Sequence, residues 1–193
     1  MRYLNGKTLK NSAILLFSLI LTLGAAATSF AATKSQAPAR DSANYQTWLT
    51  KEVRHELVML PFYSLFDNLQ YRVDGAKVTL LGQVVNPALK DDAQSAVKRI
   101  EGVEAVDNQI EVLPPSPNDD RIRRAAFHAI YASPSLDMYA LRSVPTIHII
   151  VNRGHITLEG SVASESDKNL AGIQANTVPG AFSVTNNLRV DNS

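Results

Sequence analysis

The chain contains the same segment twice. Shifted by 78 residues, the stretch 73–112 aligns with 151–190 without a gap, with identities at Val73/Val151, Thr79/Thr157, Leu80/Leu158, Gly82/Gly160, Val84/Val162, Lys90/Lys168, Ala93/Ala171, Gly102/Gly180, Val106/Val184, Asn108/Asn186 and Val112/Val190. Upstream, a shift of 73 pairs Leu49 with Ile122, Val53 with Ala126, His55 with His128, Leu57 with Ile130 and Pro61 with Pro134, so the second copy carries five extra residues before Thr146. A segment that recurs this way must fold the same way twice. Between the copies, Leu113-Pro114-Pro115-Ser116-Pro117 can continue neither a helix nor a central strand, and it reads as a short extended linker. The expected organisation is one unit over 45–113, a linker over 114–118 and a second unit over 119–192.

Each copy is read independently, and the two readings agree. Leu49, Val53, Leu57 and Leu60 recur at helical spacing in the first, as do Ile122, Ala126, Ala129 and Ile130 in the second, where Asp119 or Asp120 is the expected N-cap. Alternation then places Leu69, Tyr71, Val73, Val78, Leu80 and Val84 inward in copy one, and Ile147, Ile149, Val151, Ile156, Leu158 and Val162 in copy two. Matching inward residues across each hairpin leaves Gly75-Ala76 and Arg153-Gly154 as two-residue turns. A second helix follows, capped by Asn86 with Pro87 behind it, or by Ser164 with Asp167 three residues on. Its inward stripe is Leu89, Ala93, Ala96, Val97 and Ile100 in copy one, but only Asp167, Ala171, Gly172, Ala175 and Val178 in copy two. Gly102 and Gly180 end these helices, and a last strand completes the order helix, strand, strand, helix, strand. The fold class is therefore α+β: two domains, each a three-stranded mixed sheet covered on one face by two helices. Gly82 and Gly160, at inward strand positions, let a helix approach the sheet or admit a bulge.

These residues resemble a known family. The segments Val78-Thr79-Leu80-Leu81-Gly82-Gln83-Val84 and Ile156-Thr157-Leu158-Glu159-Gly160-Ser161-Val162 are similar to the strand-glycine signature of the BON domain, a secreted bacterial module usually found in tandem. Supporting them are Ile100-Glu101-Gly102-Val103 before Val106-Asp107-Asn108, and Val178-Pro179-Gly180-Ala181 before Val184-Thr185-Asn186-Asn187. The resemblance implies a non-enzymatic cell-envelope protein that binds phospholipid surfaces and supports envelope integrity or osmotic stress tolerance. A soluble chaperone-like or protein-interaction factor is the alternative, and it would use the open face of each sheet.

The N-terminus fits that expectation. Arg2, Lys7 and Lys10 precede an apolar run over 13–23 and a small-residue stretch ending Ser29-Phe30-Ala31, the layout of a secretory signal peptide cut after Ala31. Residues 32–44 read as a flexible leader, and the mature chain is expected to be periplasmic, without a membrane span. Without the three cations of residues 1–31, 16 basic residues face 18 acidic ones, which gives no electrostatic reason to expect nucleic acid. The absence of cysteine excludes disulfides, thiolate zinc sites and a cysteine nucleophile.

Catalytic patterns are sparse. His55 is followed by Glu56, but Met59 stands where a helical zinc motif needs its second histidine. In the hairpin register His148 faces Glu159 and His155 faces Asn152, so both are expected to be solvated surface histidines. No enzyme activity, metal or cofactor is expected. One surface does stand out: on the first helix of copy two, Arg124, Phe127 and Tyr131 fall opposite the apolar stripe, flanked by Arg121, Arg123 and His128. Aromatics among cations on an outward face suit an anionic membrane surface. The competing reading is that Phe127 and Tyr131 pack against copy one or beneath the extra residues Ser135 to Pro145.

Overall fold

A computed structural model describes residue 38, residues 44–141 and residues 145–191, so the expected signal peptide over 1–31 and most of the expected leader lie outside the described residues. In copy one, helix α1 (Tyr45–Val58) is followed by β1 (Asn68–Asp74), β2 (Lys77–Val84), helix α2 (Pro87–Lys98) and the short strands β3 (Ala105–Asn108) and β4 (Glu111–Val112). Copy two repeats the order with α3 (Pro117–Tyr131), β5 (Ile147–Asn152), β6 (His155–Val162), α5 (Glu165–Asn176), β7 (Ser183–Asn186) and β8 (Arg189–Val190), and adds a one-turn helix, α4 (Asp137–Ala140), after α3. The α+β assignment and the duplicated order are therefore as the sequence indicates.

Register follows from the inward residues. Val73 faces Val78 and Val151 faces Ile156, which leaves the expected two-residue turns. The central strand of each sheet runs antiparallel to the first and parallel to the last. Val78, Leu80, Val84 and their counterparts Ile156, Leu158 and Val162 are buried against the two helices.

The last strand is broken in both copies at the same place, for a reason the repeat itself contains. Asn108 donates from Nδ2 to the Lys90 carbonyl at 2.9 Å and accepts from the Ile110 amide at 3.2 Å, and Asn186 bonds the Lys168 carbonyl at 2.7 Å and the Leu188 amide at 3.2 Å. One amide side chain thus ties the helix to the strand and takes over a backbone bond at the break. This accounts for the identity at Asn108/Asn186.

Four sequence expectations need correction. Neither Asp119 nor Asp120 caps α3: the cap is Ser116, whose hydroxyl accepts from the Asp119 amide at 3.2 Å, with Pro117 in the first turn. Gly82 and Gly160 do not make room for a helix. Their φ values are +106° and +109°, and an added Cβ would stand 1.9 Å from the Asn68 carbonyl oxygen or 2.0 Å from that of Thr146, in the approach to the neighbouring strand. Gly102 and Gly180 stand four residues beyond α2 and α5, which stop at Lys98 and Asn176, and take positive φ in the turn that follows. Asp167 is not part of the apolar stripe of α5. Its carboxylate accepts from the hydroxyl of the N-cap Ser164 at 2.8 Å and from the Tyr139 hydroxyl at 2.9 Å.

That last bond shows what the extra residues of copy two do. Leu136 and Tyr139 are buried in the second core, and the Tyr139 hydroxyl also accepts from the Ala163 amide at 2.8 Å. Asp167 stands where copy one has the buried Leu89, and Tyr139, bonded to it, joins the second core there.

Both copies belong to one compact unit, residues 36–193. They meet through the segment between α1 and β1. Leu65 and Phe66 pack on the second core, and the Leu65 carbonyl accepts from the Ile149 amide at 2.7 Å, covering part of the edge of β5. Tyr63 stacks on His148 with ring centroids 5.7 Å apart.

Candidate functional site

The helix α3 carries every residue singled out as a candidate lipid contact, and its packing sorts them. Ile122, Ala126 and Ile130 are fully buried, which fixes the helix rotation. Asp119 is 1% exposed and accepts from the Arg153 amide at 2.9 Å and the Gly154 amide at 2.8 Å, so it anchors the β5–β6 turn. Arg153 has φ +51°, a left-handed conformation that the Asp119 carboxylate helps to hold.

Arg123 leaves the outward group. It is 3% exposed, and its guanidinium donates to the Val151 carbonyl and to the Asp120 carboxylate, each at 2.6 Å. Its position, one residue past buried Ile122, puts it at the edge of the apolar stripe, from which a long side chain reaches inward. The face that remains exposed holds Arg121, Arg124 and His128, at i, i+3 and i+7. Both acids of the first turn are engaged elsewhere, Asp119 by amides and Asp120 by Arg123, so among the described residues no carboxylate pairs with the two arginines. Among the described residues Arg121 donates to neutral oxygens, Asn118 Oδ1 at 3.0 Å and the Pro179 carbonyl at 3.4 Å.

Phe127 and Tyr131 are half-buried rather than outward. Both pack against the second core, the cluster that Leu65 and Phe66 of copy one also join. Their rings tilt against each other at 5.2 Å. The Tyr131 hydroxyl donates to the Ile147 carbonyl at 3.0 Å, and burial pushes its pKa well above the usual phenol range. The outward face of α3 is thus cationic, with its aromatics held at the margin.

A second surface was not legible from the sequence. Phe62, next to Pro61 beyond the end of α1 at Val58, is 75% exposed and has φ +68°. It lines a groove of about 240 Å3 with Phe66, Val85, Asp120, Arg123 and Arg124, so copy one supplies apolar surface beside the cations of α3. The signal available was the Pro-Phe-Tyr sequence at 61–63 after a helix, which marks a turn but not its conformation.

The contact between copies also changes the standing of His148. It is 8% exposed instead of solvated, whereas His155 remains exposed and bonds Ser183 Oγ at 2.7 Å. His148 lines a polar cleft of about 600 Å3 between the copies, with Arg54, Tyr63, Tyr71, Glu159 and Arg189. Burial holds its imidazole below the ordinary value, against the opposing effect of backbone groups at Asp67 and Ser64 and of the Asp67 and Glu159 charges. Burial likewise pushes Tyr63 up to about 12.

The sign of the resulting pH dependence is fixed. Above pH ~6.5 both folded and unfolded forms carry a neutral imidazole, and below it the unfolded chain takes up a proton that the folded one resists. The stability tied to neutral His148 is therefore present above ~6.5 and declines as pH falls. His148→Gln removes that component, so the wild-type melting temperature should drop more steeply than the variant's between pH 7.5 and 5. Parallel curves would contradict the assignment.

Among the described residues no cluster of three or more His, Asp or Glu side chains could hold a metal ion, and no helix is long and apolar enough to cross a membrane. What the fold and surface define is a tandem α+β chain with a cationic helix face. The chain belongs to the BON-domain family, whose sequence pattern matches residues 46–114 and again 118–192, and the family is generally a binding domain and not an enzyme. Comparison with curated protein sequences finds no match. Among solved structures the chain is similar to CdsD, a structural protein of the type III secretion system of Chlamydia trachomatis, at 12% identity over 72% of this chain and 90% of that one, with a TM-score of 0.28. The C-terminal domain of the same protein is similar at 11% identity over 74% and 96%, with a TM-score of 0.27.

Proposed function

We propose that this is a periplasmic, non-enzymatic envelope protein, exported by an N-terminal signal peptide over residues 1–31, in which residues 45–113 and 119–192 act as two joined BON domains that bind anionic phospholipid surfaces through α3. The observation that carries the reading is the pair Arg121 and Arg124, without a carboxylate partner among the described residues, on the exposed face of a helix whose two acids are both engaged elsewhere. Membership of a family associated with phospholipid binding and osmotic stress supports it. An anionic surface attracts each nearby arginine by about 1 kcal/mol, so the pair contributes about 2 kcal/mol, the scale of weak and reversible binding. The chaperone-like alternative needs open sheet faces, and that of copy two is closed at His148 and Ile150, which are 8% and 4% exposed.

The double variant Arg121→Gln/Arg124→Gln tests the reading. Both side chains are exposed, so the melting temperature should stay within a degree or two, while affinity for anionic vesicles falls about 30-fold, the equivalent of the lost attraction. Unchanged affinity would refute the role of α3.

A further inference from the structure

We infer that the turn between α1 and β1 is a membrane-inserting element, with Phe62 as a wedge that enters the boundary between headgroups and acyl chains of an anionic bilayer. This rests on the reading of α3 as the face turned to lipid.

Phe62 and Arg153 are the two non-glycine residues with positive φ among the described residues. At Arg153 the left-handed backbone has an internal compensation, since its amide bonds buried Asp119. At Phe62 there is none through the side chain. A bulky aromatic is a true outlier in that region of backbone space, and here the strained conformation holds a ring 75% exposed to water. Both the backbone strain and the exposed apolar surface oppose folding, and a bilayer would remove the second.

The setting of the ring fits that use. Met59, three residues earlier, is 68% exposed, and Val85 on the groove wall is 36% exposed. Arg124 lines the same groove, and of the groove's two acids Asp120 is paired with Arg123 and Asp67 is buried and engaged by Ser64 and Val85, so among the described residues an apolar wedge and a cation without a carboxylate partner share one patch. That combination matches the charge and polarity of an anionic membrane interface. The turn is also braced. The buried Asp67 carboxylate accepts from the Ser64 amide at 3.0 Å, the Ser64 hydroxyl at 2.7 Å and the Val85 amide at 2.8 Å, while Leu65 is held to β5. A wedge presented on a fixed turn loses little conformational freedom on insertion.

Two variants test it on the mature chain. Phe62→Gly removes the ring and suits the left-handed backbone, so its melting temperature should match or exceed the wild type while its partition onto anionic vesicles falls about tenfold or more. Phe62→Trp should be quenched by brominated acyl chains beyond the quenching of the wild type, whose one tryptophan is Trp48. Wild-type binding by Phe62→Gly, or an unquenched Phe62→Trp, overturns the inference, as does a change of oligomeric state in Phe62→Gly, which would assign the ring to a second copy. If Arg121→Gln/Arg124→Gln loses anionic binding while Phe62→Gly does not, the α3 reading stands and the wedge falls. A wild-type chain that binds no vesicle overturns both.

Discussion

Gly160→Ala is expected to destabilise the second copy by about 3 to 5 kcal/mol, combining backbone strain at positive φ with displacement of packed chain. The cause is specific: the new methyl group would stand 2.0 Å from the Thr146 carbonyl oxygen, which is backbone and has no rotamer through which to escape. That oxygen also accepts from the Ser161 amide at 3.0 Å, so moving it breaks the end of the β5–β6 pairing. Gly82→Ala should act in the same way on copy one through Asn68. Denaturant unfolding followed by amide spectra would show the affected copy losing its dispersed signals first. A variant melting within two degrees of the wild type would mean that the strands part without cost.

Asp119→Ala comes second, at about 2 to 4 kcal/mol, because it strips the acceptor from two amides at once and one of them, at Gly154, is buried. The loss should be local before it is global: the Arg153 and Gly154 amides should exchange with solvent far faster, while the core of copy one keeps its protection. Equal protection in the wild type and variant would show that the turn holds itself.

Local chemistry and periodicity made much of this fold legible. The duplication, the two-residue turns, the capping by Asn86 and Ser164 and the inward residues of all four hairpin strands follow from short-range patterns that tertiary packing left intact. What was not legible depends on partners distant in sequence. Asp119 is a better acceptor for a turn 34 residues away than for its own helix, so Ser116 caps α3 instead. Arg123 borders the apolar stripe, and the length of its side chain, more than its helical angle, takes it to the Val151 carbonyl. His148 is buried through a neighbour supplied by the other copy, which no alternation within its own strand records. The candidate surface was thus half visible. Arg121 and Arg124 are where the helical spacing puts them, whereas Phe127 and Tyr131 turn to the core and Phe62, from the other copy, shares the groove of Arg124.

The central claim is that the paired arginines of α3 direct the chain to anionic lipid, and flotation of the mature protein with vesicles tests it most directly. The protein should float with anionic vesicles at low ionic strength, float poorly with neutral ones, and be released as added salt shortens the screening length from about 10 Å at 0.1 M to about 3 Å at 1 M. Equal recovery with neutral and anionic vesicles, or recovery with neither, would contradict it.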